Sequence, residues 1–338
     1  MTPEALVQEI ISEGFEVFSE DGVSGEHYHG FRSAAQELGL HFEKNGNATL
    51  IIDPKSSALV GGTNNMVSSL VSGFALVVAG DKTLTNRVLA SNSVSVPKQL
   101  SFGRDQYDEA LTAFREENIR VVKPSHGNGG NGVTIDIESE HQFADAWNVA
   151  LAHSKSKELI LLEEQVSGFD ARVIIVNGEF EGAVARIPAY VVGNGRDTIS
   201  TLSKKKNLVR AKHPHHKRFP INPAPSDSSR TPQDGEIVFL TKLANIHQGG
   251  EAYDITDKIG QAVIDEAIKA SRSVPGLDVV GIDFALRSMC GNAGMSIIEM
   301  NASANFGIHY TPYYGKHRNP ARAILREMRK RHMPRSQL

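Results

Sequence analysis

Two carboxylates and a carboxamide, Asp283, Glu299 and Asn301, stand in two short apolar runs, V-V-G-I-D-F-A-L (279–286) and M-S-I-I-E-M-N (295–301). Period-two alternation puts Val280, Ile282, Phe284 and Leu286 on one face of the first run and Asp283 on the other. In the second run Glu299 and Asn301 share a face. If the runs pair as strands, three oxygen donors converge. That is the donor type hard magnesium takes, with substrate phosphates and water filling its other positions. The plainer reading is two solvated edge-strand acids. Against it, both acids lie inside apolar strands, where an unpaired charge is costly.

A second chemistry-bearing stretch is R-V-V-K-P-S-H-G-N-G-G-N-G-V-T-I-D-I from Arg120 to Ile137. Gly127, Gly129 and Gly132 fit G-x-G-x-x-G, which alone marks no more than a flexible turn. Val121 and Val122 precede it, Lys123 stands at the strand end, and Val133, Ile135 and Ile137 alternate after it, so the glycines are expected to join two strands. A dinucleotide fingerprint needs a helix after the last glycine, with an acid about 20 residues on. No Gly-Lys-Ser/Thr closes a Walker loop, and no H-R-D or D-F-G supports a protein kinase. What remains is a glycine hairpin, Ser125 to Gly132 with Gly130 inside it, over a triphosphate. Its backbone N–H groups can approach phosphate oxygens closely, and Lys123 adds positive charge beside them.

The elements that position these residues follow from pattern. Residues 4–18 and 31–39 read as helices, with two short strands turning at Asn45-Gly46. Helices are expected after Asp81, over 105–117, over 139–154 and over 257–274. Leu159 to Leu162 is a buried strand ending in Glu163-Glu164. A hairpin, 171–176 and 180–186, turns at Asn177-Gly178. Simple alternation across it puts Arg186 opposite the face of Asp170 and Arg172, so a bulge or twist is required if all three serve one site. The basic run from Lys204 to Arg218 reads as a solvated loop. These elements give an entry lobe (1–80), a central lobe (81–165) and a C-terminal lobe (166–338). No internal repeat is evident.

At 338 residues, 40% hydrophobic and 22% charged, the chain can bury a full core. A net charge of -3 makes no electrostatic case for nucleic acid, so small-molecule substrates are expected. The single cysteine, Cys290, excludes an internal disulfide and a cysteine-based zinc site, and its thiol reads as inert. The acidic N-terminal helix is unlike a signal peptide and no apolar run reaches spanning length, so the protein is expected to be cytoplasmic and free of membrane. His213, His215, His216 and His309 fit no zinc spacing and are expected at surface or supporting positions.

Taken in order, the phosphate hairpin with its lysine, the apolar strand ending in acids, and the D…E-x-N set resemble the ATP-grasp superfamily. The likeness narrows in R-I-P-A-Y-V-V-G-N-G-R-D-T-I-S-T-L (186–202), D-K-T-L-T-N-R-V-L-A (81–90) and I-E-M-N-A-S-A-N-F-G-I-H (298–309). These are similar to the ATP-grasp module of cyanophycin synthetases and bifunctional glutathione synthetases, over about residues 75–330. The resemblance implies an α+β fold that holds the nucleotide between two lobes, with a small N-terminal lobe added. It implies ATP and two magnesium ions, which manganese can replace, held by Asp283, Glu299 and Asn301. Lys82 and Lys123 would contact the nucleotide, and Ser125 to Gly132 would close over the triphosphate. Glu163 would accept the adenine amino group, the Val166 backbone would pair with the ring edge, and Asp170 would hold the ribose. Arg172 and Arg186 would meet the acyl-phosphate oxygens or the acid. In such enzymes the basic segment is a mobile loop, so Arg210 and Lys212 are expected over the phosphates.

The activity so implied is an ADP-forming ligase that joins a carboxylate, activated as an acyl phosphate, to an amine, with amino acids or a short peptide as substrates. A phosphotransferase with a stable product and a nucleotide-binding module without turnover are the rival classes, and the intact D…E-x-N set speaks against the second. A homodimer is compatible with this reading. The chain carries neither the Mur-ligase-like half nor the glutamate–cysteine ligase half of those larger enzymes and is expected to be a free-standing module. Asn194 replaces the family's usual aspartate and Ala304-Asn305 its proline-glycine, so the substrate geometry is expected to differ.

Overall fold

The computed structural model of the chain describes residues 1–14, 16–17, 27–126 and 130–332. Strands are numbered in chain order. In the entry lobe, β1 (His41–Asn45), β2 (Ala48–Asp53), β3 (Ala58–Asn64) and β4 (Val67–Ser68) form an antiparallel sheet in the order β1-β2-β3-β4. The first turn falls at Gly46-Asn47, one residue later than the Asn45-Gly46 expected, with Gly46 at φ 60. Phe31, Ala34, Ile51 and Val60 bury against Ile324, Leu325 and Met328 of the helix Ala321–His332.

In the central lobe, β5 (Gln99–Phe102), β6 (Ile119–Pro124) and β7 (Ile160–Glu164) lie in the order β5-β7-β6. The helices Tyr107–Glu116 and Glu140–His153 supply Phe114, Phe143 and Trp147 to their core. Ser139 and Gln142 form a reciprocal cap that fixes where the second helix starts. The strand expected over 133–137 is reduced to a bridge between Thr134 and Val122, plus an Ile137 N–H donated to the Arg120 carbonyl. Asp136 interrupts the run: its φ is 57, and its N–H donates to Gln165 Oε1 at 2.9 Å instead of to a neighbouring strand.

The remaining strands are β8 (Phe169–Val176), β9 (Glu179–Ile187), β10 (Tyr190–Val192), β11 (Ile237–Phe239), β12 (Glu251–Asp254), β13 (Val279–Leu286) and β14 (Met295–Asn301). Five of them form a sheet in the order β12-β9-β8-β13-β14, and β10 pairs with β11. Leu6, Val7 and Ile10 of the helix Pro3–Glu13 pack with Val263 and Ala267 of the helix Gln261–Arg272 in the core of this sheet. Ala75, Val78 and Leu89, from the helices Gly73–Gly80 and Lys82–Ser91, join the same core.

The β8–β9 hairpin carries the bulge that alternation demanded. Ile174 faces Gly182 but Ile175 faces Phe180, so Glu181 is an extra residue. Asp170 thereby lies directly opposite Arg186, on the same face. Burial, then the charge of Glu179, push the Glu181 carboxyl up to about 7 against the weaker pull of Arg326. A folded-state value above the unfolded one means the stabilising protonated form is present at low pH and lost as pH rises. Glu181→Gln is therefore expected to melt like wild type near pH 4, gain on it across pH 4.5–7 and stay above it at pH 8. Equal melting temperatures at pH 8 would refute this.

The basic run departs from expectation. It is no open loop: Ile199–Arg210 is a helix capped by Thr198, followed by the short 3-10 helix His216–Arg218. Helical spacing turns Lys206 and Arg210 inward, where Glu251 neutralises both, and leaves Lys204 and Lys205 exposed. The repulsion that would hold such a run open is thus offset. Arg210 is only 1% exposed; Nη1 donates to Glu251 at 2.7 Å and Nη2 to the Phe219 carbonyl at 2.7 Å. It is a structural ion pair and does not cover phosphates. Lys212 is exposed just past the helix. Of the surface and supporting positions expected for the histidines, the surface one is ruled out, since His213, His215, His216 and His309 are all buried. His213 shows why: its Nδ1 takes the backbone N–H groups of His215 and His216, and burial holds its imidazole down at about 4.

Candidate nucleotide and metal site

The antiparallel register of β8, β13 and β14 assembles the acidic cluster. Asp283 has Arg172 as its β8 partner and Glu299 as its β14 partner, and Asn301 pairs with Gly281 two residues away. All therefore point to one face, with Ile298 left over at a bulge between Asp283 and Phe284. Arg172 grips Asp283 with both arms, Nε to Oδ1 at 2.6 Å and Nη2 to Oδ2 at 2.8 Å. Arg186 spans two acids, Nε to Asp170 Oδ1 at 2.5 Å and Nη2 to Asp283 Oδ2 at 2.9 Å. Asn301 Nδ2 donates to Asp283 Oδ2 at 3.3 Å. Burial works to raise the Asp283 carboxyl, but the charges of Arg172 and Arg186 outweigh it and hold it near 2. Burial likewise opposes charge on Arg186, and Asp170 and Asp283 more than reverse this.

The central lobe supplies the facing wall. Lys123, on β6, pairs with Glu163, on β7, at 2.6 Å, and both side chains are buried. Gln99 on β5 donates Nε2 to the other Glu163 oxygen at 2.5 Å. At the start of its helix, Lys82 reaches Glu299 Oε1 at 3.0 Å. A narrow pocket lined by Lys82, Asn86, Gln99, Glu163, Ile298 and Glu299 connects the two lobes. Gln99 and Asn86 escaped the sequence reading, because only the β5–β7 register, a non-local fact, brings Gln99 to Glu163.

Ser125 is buried after β6, and its Oγ accepts the Leu159 N–H at 3.2 Å. Gly130 and Gly132 both have φ 75, and a Cβ on Gly132 would lie 2.7 Å from His153 Cβ. Only glycine fits there. Gly127 and Gly129 lie outside the described residues. Val166 is half-buried in the link from β7 to β8. His309, expected at a surface or supporting position, is buried beside the arginines of the cluster. Burial, then the charges of Arg172 and Arg186, hold it neutral at about 3, and neither ring nitrogen has a hydrogen-bond partner among the described residues. Asn194 Oδ1 takes the N–H groups of Arg196 and Asp197 at 3.1 and 2.9 Å, as an aspartate could, but its Nδ2 also donates to Asp197 Oδ2 at 2.8 Å, which an aspartate could not do.

Among the described residues no three His, Cys, Asp or Glu side chains cluster as a metal site. The donor set is two carboxylates completed by the Asn301 amide. With Nδ2 on Asp283, its Oδ1 is left for a cation, and such hard oxygens fit magnesium. No helix among the described residues is long and apolar enough to cross a membrane.

Residues 102–211 match the family model of the prokaryotic glutathione synthetase ATP-grasp domain. The chain is 32% identical over 268 residues to the cyanophycin synthetase of Trichormus variabilis, a match covering 73% of this chain and 29% of that protein. It is 31% identical over 270 residues to the glutathione biosynthesis bifunctional protein of Clostridium perfringens, covering 74% and 34%. The match thus spans about a third of the length of these curated relatives. A bifunctional glutathione synthetase from Pasteurella multocida shares the fold, with a TM-score of 0.63 at 21% identity over 90% of this chain and 43% of that one. Residues 102–211 thus match an ATP-grasp domain, and the chain shares its α+β fold with that synthetase.

Proposed function

We propose that the chain is an ATP-dependent ligase that activates a carboxylate as its acyl phosphate, joins it to an amine, and releases ADP and phosphate. The observation that carries this reading is the convergence of Asp283, Glu299 and Asn301 with Arg172 and Arg186 on one sheet face. The Lys123–Glu163 wall lies across the connecting pocket. The nucleotide lies between the lobes 81–165 and 166–338, its base at Glu163 and Val166 and its ribose at Asp170. Lys82, Lys123 and the segment from Ser125 to Gly132 take the phosphates. Asp283, Glu299 and Asn301 would hold two magnesium ions, whose chemistry would be to offset charge on the phosphoryl group. Arg172 and Arg186 leave their carboxylates to meet phosphoryl or acid oxygens. The substrates are amino acids or a short peptide, as the names of the relatives suggest.

Because this reading assigns no covalent nucleophile among the described residues, the activated acid stays bound and reactive until the amine arrives. Hydroxylamine, offered with magnesium-ATP and the correct acid but no amine, is expected to yield an acyl hydroxamate and ADP. AMP and pyrophosphate would refute the mechanism, and a stable phosphorylated acceptor would favour a phosphotransferase.

A further inference from the structure

We propose that Arg172 makes the metal site selective for a divalent cation arriving with nucleotide phosphates and shuts it to the free cation. The inference rests on the ligase reading above. Asp283 is heavily engaged, with Oδ2 crowded by three donors and Oδ1 held by a fourth. Oδ1 accepts Arg172 Nε at 2.6 Å, while Oδ2 accepts Arg172 Nη2 at 2.8 Å, Arg186 Nη2 at 2.9 Å and Asn301 Nδ2 at 3.3 Å. Its side chain is 7% exposed, so water screens these charges little. A lone hydrated cation must displace a two-armed guanidinium–carboxylate contact, among the stronger hydrogen-bonded pairs. It must then sit beside two positive charges.

A polyphosphate changes both terms. Its oxygens offer the arginines new acceptors, and they share the cation with Asp283. The same exchange is laid out twice more, with Lys82 on Glu299 at 3.0 Å and Lys123 on Glu163 at 2.6 Å. Each lysine assigned to the nucleotide thus stands on a carboxylate of the site. Arg172 is the selective element because both its arms hold Asp283, whereas Arg186 commits both of its nitrogens to Asp170 and shares one with Asp283. Cation and nucleotide then bind as one event, each raising the other's affinity by the same factor.

Manganese, titrated into the full chain and followed by its electron paramagnetic resonance signal, tests this without turnover. Wild type is expected to show no saturable binding at micromolar manganese alone and clear binding when a non-hydrolysable ATP analogue is added. Arg172→Met is expected to bind manganese alone at least roughly tenfold more tightly than wild type, with a correspondingly smaller effect of the analogue. Saturable micromolar binding to wild type without nucleotide, or no gain in Arg172→Met, overturns the proposal. Should Arg172→Met fail to fold, Arg172→Lys keeps the charge but not the fork. Its expected gain is intermediate, and wild-type behaviour in it overturns the proposal equally. If wild type binds neither manganese nor the analogue in any combination, the ligase reading itself falls and takes this inference with it.

Discussion

Asp283→Asn and Glu299→Gln are expected to lower turnover by orders of magnitude, but only the first is expected to lower the melting temperature. Each substitution removes a charge that would face magnesium during phosphoryl transfer. Their structural settings differ. Asp283 is 5% exposed and balances Arg172 and Arg186, so neutralising it leaves the largely covered Arg172 guanidinium without its counter-charge and Arg186 with Asp170 alone, at a cost of roughly 3 kcal/mol. The Glu299 side chain is 26% exposed and pairs only with Lys82 in the ion-pair network, a contact worth about 1 kcal/mol or less. Register thus makes the two substitutions unequal. Steady-state kinetics with calorimetric melting separates the effects. Activity within a few-fold of wild type in a folded Glu299→Gln protein would remove that residue from the site.

Glu251→Gln is expected to destabilise the protein by roughly 3–5 kcal/mol and to make the segment from Lys204 to Arg218 sensitive to trypsin. Glu251 is fully buried and is the acid that both Lys206 and Arg210 hold, at 2.9 and 2.7 Å. Losing its charge leaves both cations inside the protein with their repulsion uncompensated. In wild type, the same segment is expected to resist trypsin whether or not nucleotide is present, since its exposed Lys204 and Lys205 are held in the helix Ile199–Arg210 and Arg210 is inaccessible. Rapid wild-type cleavage there that magnesium-nucleotide suppresses would restore the picture of a mobile cover.

How much was legible in the sequence depends on whether a feature is local. Alternation placed Asp283 on the polar face of its strand, and Asn177-Gly178 announced its turn, with φ 50 and 77. The need for a bulge beside Arg186 could be deduced, though not its position at Glu181. Register could not be read. The pairing of β5 with β7, which delivers Gln99 to Glu163, and the reach of Glu251 to Arg210 both depend on contacts between distant segments. The basic run misled for the same reason: its charge was visible, and the buried acid that cancels it lay some 40 residues downstream. Burial of His213 and His216 was partly non-local, because they pack against the ring of Tyr313 and His213 also meets the Pro312 carbonyl.

The entry-lobe sheet completes its core with Ile324, Leu325 and Met328 from the helix Ala321–His332. Its own strands end at Ser68, so more than 200 residues of chain must be made before the covering helix exists. During synthesis the apolar side chains of β2 and β3 therefore wait, with half of their shelter missing, while the ribosome completes both larger lobes. Closing so long a loop costs only slightly more entropy than closing a short one, but it delays the contact that stabilises the sheet. In this window the nascent chain is most exposed to mispairing at its β1 edge. Birth order thus makes the first-made sheet among the last parts to become stable.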